Sequence, residues 1–284
     1  MSKIAIITDT DASLSQEVAE KYGVYQVPIT IHFGDEVLES GVDIDDAALF
    51  ARIDKQGRLP TTAAPAPGKF VEAYEAAFEA GADEVICFAV SGEVSATYSA
   101  AVTAADTLPD RKISVVDTRS LSWGQGFQVL AAAEAAQAGK STKEILAIAE
   151  DVLANSHFYA ALATLKYLAM SGRVGYLAAG MASLLNIKPV LTIQDGKLDM
   201  LERVRTKKKA WARTVELVQA AIAGKPIERM AIVHVAVPEA AKEFESLLRA
   251  NLDCPEEILI TELSAGLSVH SGAGMVGVGA LVGK

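Results

Sequence analysis

Of 284 residues, 26 are Lys or Arg and 36 are Asp or Glu, giving a net charge of −10 with 51% hydrophobic residues. This composition supplies core material for one large or two ordinary domains and excludes intrinsic disorder. Ser120–Ala133 and Val174–Ile187 run 14 residues each without a charged residue, short of the roughly 18–20 that a bilayer crossing needs, and the 21 residues Leu263–Gly283 are interrupted by His270, three serines and six glycines. No spanning segment is expected. The opening MSKIAIITDT lacks a basic segment followed by a long apolar stretch, so no signal peptide is expected either. Cys87 and Cys254 lie far apart in apolar runs without a CxxC pattern, which fits buried free thiols in a reducing cytoplasm.

The charge is uneven. Residues 1–150 hold 11 basic and 23 acidic side chains, net −12, and residues 151–284 hold 15 and 13, net +2. An acidic first half repels a phosphate backbone, and the only basic cluster is Arg203 to Lys209, so nucleic acid is not an expected partner.

In chain order, Lys3–Thr8 is a continuous apolar run of strand length, as in a parallel sheet covered on both faces. Ser13 with Gln16 reads as a capping box opening a helix that stops at Gly23, and Val24–Ile31 reads as the next strand. Helical patterns follow at Ala47–Lys55 and Gly68–Ala80, a strand at Glu84–Ala89, a helix at Val94–Asp106 and a strand at Lys112–Val116. Two helices, Trp123–Ala138 and Thr142–Ala154, lead to a strand at His157–Ala161. Beyond it come helices at Leu165–Met170 and Gly175–Leu185, strands at Ile187–Ile193 and Lys197–Val204, and a helix at Lys207–Ala223. Strands at Ile227–Val235, Glu257–Glu262 and Met275–Val282, with a helix at Pro238–Ala250, complete the series. This alternation defines an α/β protein, and the two consecutive helices with the change in charge put a domain boundary near residue 155.

Several patterns bear on chemistry. Asp9-Thr10-Asp11 follows the first strand, where a haloacid-dehalogenase-type phosphatase would carry its nucleophile and acid; otherwise the two carboxylates organise the loop by accepting backbone N–H bonds. Gly272-x-Gly274-x-x-Gly277 matches a dinucleotide fingerprint, yet too little chain follows for the βαβ unit, and Gly124-x-Gly126 lacks the third glycine. The four histidines have no metal-ligand spacing, so no metal is expected. Pro60-Thr61-Thr62-Ala63-Ala64-Pro65 reads as a loop held by its prolines. Ser91, Ser95 and Thr97 cluster where a strand meets a helix start, a place that favours an anion when the serines are not simply caps. His270 reads as lying in a glycine-bearing turn before the last strand.

Taken together and in order, these pieces resemble the DegV family, bacterial fatty-acid-binding proteins that serve as the carrier subunit of a fatty acid kinase system. The likeness runs through TDTDASL, Pro60-Thr61-Thr62 with Pro67-Gly68-x-Phe70, and Val94-Ser95-Ala96-Thr97-Tyr98. It continues through Val116-Asp117-Thr118-x-Ser120, Ser171-Gly172-Arg173-Val174-Gly175, Leu184 to Pro189, Arg203-Val204-Arg205 and the His270-x-Gly272-x-Gly274 segment.

The resemblance implies a two-domain α/β fold, with a parallel Rossmann-like sheet in residues 1–155 and a mixed sheet with helices in residues 156–284. It implies carboxylate-binding loops in the first domain and an acyl-chain tunnel in the second. Carried over, the carboxylate contacts are Thr61 or Thr62, Ser95 and His270, with Ser91, Thr97, Arg205 and Asp9 around or behind them. Arg173 is implied in docking to a separate fatty acid kinase. The protein would be a cytoplasmic lipid carrier for phospholipid metabolism, without catalysis or cofactor, and with transient membrane-surface contact. Neutral hydroxyls suit a carboxylate that must be free to attack a phosphate, protonation of His270 would be favoured by the anion, and the tail would supply about 0.8 kcal/mol per buried CH₂. The chain departs from the family pattern at Glu93, expected to face solvent, and at Ala63-Ala64, which replace two polar residues. The alternative function is the magnesium-dependent phosphatase using Asp9 and Asp11.

Overall fold

The computed structural model describes residues 2–173 and 187–283. The expected helix Gly175–Leu185 lies outside them. Strand β1 (Ile4–Asp9) leads through one 3-10 turn (Thr10–Ala12) to α1 (Gln16–Tyr22), then β2 (Val24–Val27) and β3 (Thr30–Phe33). Ser15 caps α1, its Oγ accepting from Val18 N at 3.2 Å. Ser13 does not, because it adopts a left-handed φ of 57° that closes the preceding 3-10 turn. The expected single strand Val24–Ile31 is two strands in different sheets, divided at Pro28, which has no N–H to give a ladder.

Next come β4 (Glu36–Glu39), α2 (Asp46–Gln56), β5 (Thr61–Ala63), α3 (Pro67–Glu79), β6 (Glu84–Ala89), α4 (Thr97–Asp106) and β7 (Ile113–Asp117). Strands β2-β1-β6-β7 form a parallel sheet. The order reverses at β1 and β6, so the loops leaving their carboxyl ends open a crevice of the kind in which α/β proteins bind ligands. A three-stranded antiparallel sheet, β4-β3-β5, stands apart from it. The Thr61-Thr62 segment is therefore the edge strand of that sheet rather than a loop.

Helices α5 (Trp123–Gln137) and α6 (Thr142–Asn155) precede β8 (Ser156–Ala161) and α7 (Lys166–Met170). The remaining elements are β9 (Lys188–Gln194), β10 (Lys197–Val204), α8 (Lys207–Ile222), β11 (Ile227–His234), α9 (Pro238–Asn251), β12 (Ile258–Glu262), α10 (Ala265–Ser271) and β13 (Val276–Val282). A mixed six-stranded sheet runs β10-β9-β8-β13-β11-β12, with only β11 and β12 parallel. The architecture is thus α/β with a parallel sheet and a separate mixed sheet, as the sequence led us to expect.

Helix α5 joins the two sheets. Eleven of its 15 residues are buried, which is how a helix that is apolar all round must sit. It packs against β1 and β6 on one side and β8 and β13 on the other. Its Gly124-x-Gly126 pattern is a packing device: a Cβ on Gly126 would come within 2.9 Å of the Ala12 carbonyl. One core cluster accordingly spans both sheets, from Ile6 and Phe88 through Trp123 to Phe158 and Val233. Both cysteines are free, Cys87 buried and Cys254 half-buried.

Candidate functional site

The site grows from the end of β1. Asp9 is fully buried, and its oxygens accept from Asp11 N at 2.9 Å and Val90 N at 2.7 Å. The second bond ties the end of β1 to the end of β6. Asp11 is 5% exposed, and its Oδ1 accepts from Ser264 Oγ at 2.7 Å. Ser264 also caps α10, accepting from Leu267 N at 3.2 Å, so the same hydroxyl starts the helix and fastens it to the loop after β1. Burial raises both carboxyls above the ordinary carboxylate range, and the charge of Asp9 raises Asp11 further. These contacts are the loop-organising role. They lend no support to the phosphatase alternative.

Helix α10 positions His270. The residue is not in a turn, because the Ser264 cap starts a helix that runs to Ser271. The helix ends at Gly272, whose φ of 79° and close approach to the Tyr167 ring leave no room for a Cβ. His270 Nε2 lies 2.9 Å from Thr62 Oγ1 on β5, which fixes α10 to the small sheet. Its Nδ1 is buried without a hydrogen-bond partner among the described residues. Burial, and next the nearby Arg173 guanidinium, push His270 down to about 4. With no anion bound, the imidazole is therefore neutral near pH 7.

A cavity of about 650 Å³ opens over these groups. Its wall is Asp11 and Ile29, Thr62 to Ala64, Gly92 to Ala96, Ser99, Leu121, Arg173, Leu198, Gly266, Leu267 and His270. Ser95 contributes a hydroxyl whose Oγ stands 2.8 Å from Thr97 Oγ1. Glu93 is on the rim, half-exposed, and pairs with Lys197 at 3.4 Å. Arg173 is exposed, with Nη1 donating to the Ser171 carbonyl at 2.9 Å. A second, narrow cavity of about 60 Å³ adjoins it, lined by Phe158, Ala160, Leu162, Leu168, Leu191, Leu263 and Met275 among others. Leu121, Leu198, Leu267 and His270 line both. The narrow cavity draws its walls from both sides of residue 155, not from the second part of the chain alone.

The structure brings together Thr62, Ser95, His270 and Arg173 and sets the other expected residues apart. Thr61 faces away, since neighbouring strand residues point to opposite faces, and it is exposed. Ser91 is buried and donates to the Gly196 carbonyl at 2.8 Å, linking the loop after β6 to the β9–β10 turn. Thr97 is buried behind Ser95 and Asp9 behind Asp11. Arg205 is exposed beyond the end of β10 and lines neither cavity. Sequence reasoning missed Asp11 as a wall of this cavity, along with Ser264, Gly266 and Ser99. The serine before an apolar run at Leu263-Ser264-Ala265-Gly266-Leu267 was a legible helix start.

A third crevice, of about 760 Å³, lies on the other side of the loop after β1 and the start of α10. It carries the carboxyl-bearing Glu20, Asp45, Asp46 and Glu262 and, among the described residues, no basic one. Asp46 is buried near Ser268, and burial, ahead of the Glu262 and Asp45 charges, raises it to about 7. Such a wall repels an anion.

Fold and site together define an α/β protein with a polar cavity, at the carboxyl ends of a parallel sheet, that adjoins an apolar one inside the core. The chain belongs to the DegV family: the sequence model of that family, described as uncharacterised protein, matches residues 3–282. A DegV domain-containing protein of Streptomyces coelicolor is 36% identical over 275 residues, 97% of each chain. Two solved structures share the fold. A Thermus thermophilus DegV family protein described for its fatty acid binding is 30% identical, with a TM-score of 0.89 over 99% of this chain and 100% of its own. DegV of Bacillus subtilis, described as a fatty acid binding protein, is 28% identical, with a TM-score of 0.88 over 100% of both.

Proposed function

We propose that this protein binds a long-chain fatty acid, holding the carboxylate in the 650 Å³ cavity and the acyl chain in the apolar one. The observation that carries this reading is His270, which pairs with Thr62 and lines both cavities, so one group stands where a polar head would meet an apolar tail. The described binding of the Thermus and Bacillus relatives supports the same ligand. In this reading Thr62, Ser95 and neutral His270 are the head-group contacts, and Arg173 supplies positive charge at the mouth.

A cavity of about 60 Å³ is too small for a long chain, so the lining leucines and Phe158 must change rotamers to admit one. Burial of the tail at about 0.8 kcal/mol per CH₂ is the term that drives this opening. The protein is a carrier rather than an enzyme, and a separate ATP-dependent kinase takes the carboxylate on to an acyl phosphate, docking over Arg173. The exposure of Arg173 at the rim supports that placement. The proposal includes action in the cytoplasm and a division of labour near residue 155. Among the described residues no helix is long and apolar enough to cross a membrane.

Native mass spectrometry of the protein purified from bacteria tests the ligand: a co-purifying fatty acid is expected. Failure both to carry one and to take up labelled oleate contradicts the reading. Adding a DegV-partner kinase and ATP to the loaded protein is expected to yield acyl phosphate, and the kinase alone with free fatty acid much less.

A further inference from the structure

Asp11 is a buried carboxyl in the wall of a cavity assigned to a carboxylate. Two carboxylates at close range in a poorly hydrated site do not both stay ionised. Its neighbour Asp9 has both oxygens met by backbone N–H groups, which favour its charged form. Among the described residues Asp11 receives a single hydroxyl, from Ser264, and it stands beside the Asp9 charge. Of the two, Asp11 is therefore the one that holds a proton. Gly266 keeps the wall tight, since a Cβ there would come within 3.0 Å of Asp11 Oδ1 and 2.9 Å of Ile29.

The other ionisable groups around Asp11 do not replace that proton. On β1 the neighbour is Asp9. On α5 the one acidic or basic side chain, Glu134, is bound to Arg229. On α10 it is His270, held neutral. Across the cavity stand Glu93, paired with Lys197, and the exposed Arg173.

Resting on the fatty-acid reading above, we infer that a bound carboxylate shares one proton with Asp11, so that ligand binding is coupled to protonation and weakens as the pH rises. The protein then holds its ligand as an acid–carboxylate pair, a recognition element specific for carboxylic acids over the corresponding alcohols. The sign follows from linkage. Asp11 is raised above its ordinary value in the folded protein and raised further by a bound anion. Above its free value, binding must therefore recapture one proton, and affinity falls about tenfold per pH unit.

The test is the dissociation constant of dodecanoate, below its micellar concentration, from pH 6 to 10, with dodecanol as the uncharged comparison. For the unmodified protein, dodecanoate is expected to bind steadily at low pH and then lose about tenfold per unit, with dodecanol flat. Calorimetry at pH 9.5 in two buffers of different ionisation enthalpy is expected to show uptake of about one proton with dodecanoate. Asp11→Asn, a permanently neutral donor, is expected to lose the slope. A flat wild-type profile without proton uptake overturns the inference while leaving the fatty-acid reading intact, as does a slope shared by dodecanol or kept by Asp11→Asn. Absence of dodecanoate binding at every pH overturns the fatty-acid reading itself. The wild-type calorimetry decides the matter even if Asp11→Asn fails to fold.

Discussion

Two crevices of similar size, about 650 and 760 Å³, flank the loop after β1 and the start of α10, yet their walls carry different chemistry. The smaller offers hydroxyls, a neutral imidazole and an arginine beside Asp11 and the Lys197-paired Glu93, and it continues into an apolar cavity within the core. The larger offers four carboxyls and, among the described residues, no cation. Size therefore does not identify the binding site; the wall that suits an anion and the adjoining apolar space do. Both crevices depend on α10, whose Ser264 end is fastened to Asp11 and whose His270 end is fastened to Thr62.

Removing the strain on the acidic side gives the largest expected effect. Asp46 titrates at about 7 in the folded protein, against 3.8 for an ordinary aspartate. Between those values the unfolded chain ionises and the folded one does not, so stability falls as the pH rises from about 4 to about 7. Asp46→Asn is expected to raise stability at pH 8 by an amount on the order of 3–4 kcal/mol, and hardly at all at pH 4. Urea unfolding at the two pH values checks this, and equal effects at both would remove the buried charge from the account.

On the other side, Ala160→Leu fills the apolar cavity from β8. It is expected to weaken fatty-acid binding by about a hundredfold while costing roughly 1–3 kcal/mol of stability through overpacking, read by ligand titration and thermal unfolding. Thr62→Val and His270→Ala each remove one member of the polar pair, so each is expected to cost about tenfold in affinity, the value of one hydrogen bond in a partly buried site. Thr61→Ala, one residue along the same strand but on its other face, is expected to change nothing. A loss at Thr61 equal to that at Thr62 would mean that β5 is turned over.

Much of this architecture was legible because strong apolar periodicity marks most of its elements: β1, β6, α5 and β13 fall within a residue or two of their sequence expectations. Pro28 was in plain view, but an unbroken apolar pattern hid its division of one run into two strands. Helix α10 was missed because seven residues that include an alanine, two serines and a glycine carry too weak a period, although Ser264 gave the start. Within the site, residue type alone could not separate Thr62 from Thr61 or Ser95 from Ser91. Strand alternation and a single bond to Gly196 decide those cases, and both depend on pairings distant in the chain. His270 was legible as a candidate, but its lowered titration in the ligand-free protein was not, because burial and Arg173 act on it only after folding.

The most direct measurement is an electron-density map of the protein with a bound long-chain fatty acid. The account predicts the carboxylate within hydrogen-bonding reach of Thr62, His270 and Asp11, and the chain running past Leu198 among Phe158, Leu162 and Leu191. A ligand seated in the acidic crevice beside Asp45 and Glu262, or a head group away from His270, would contradict it.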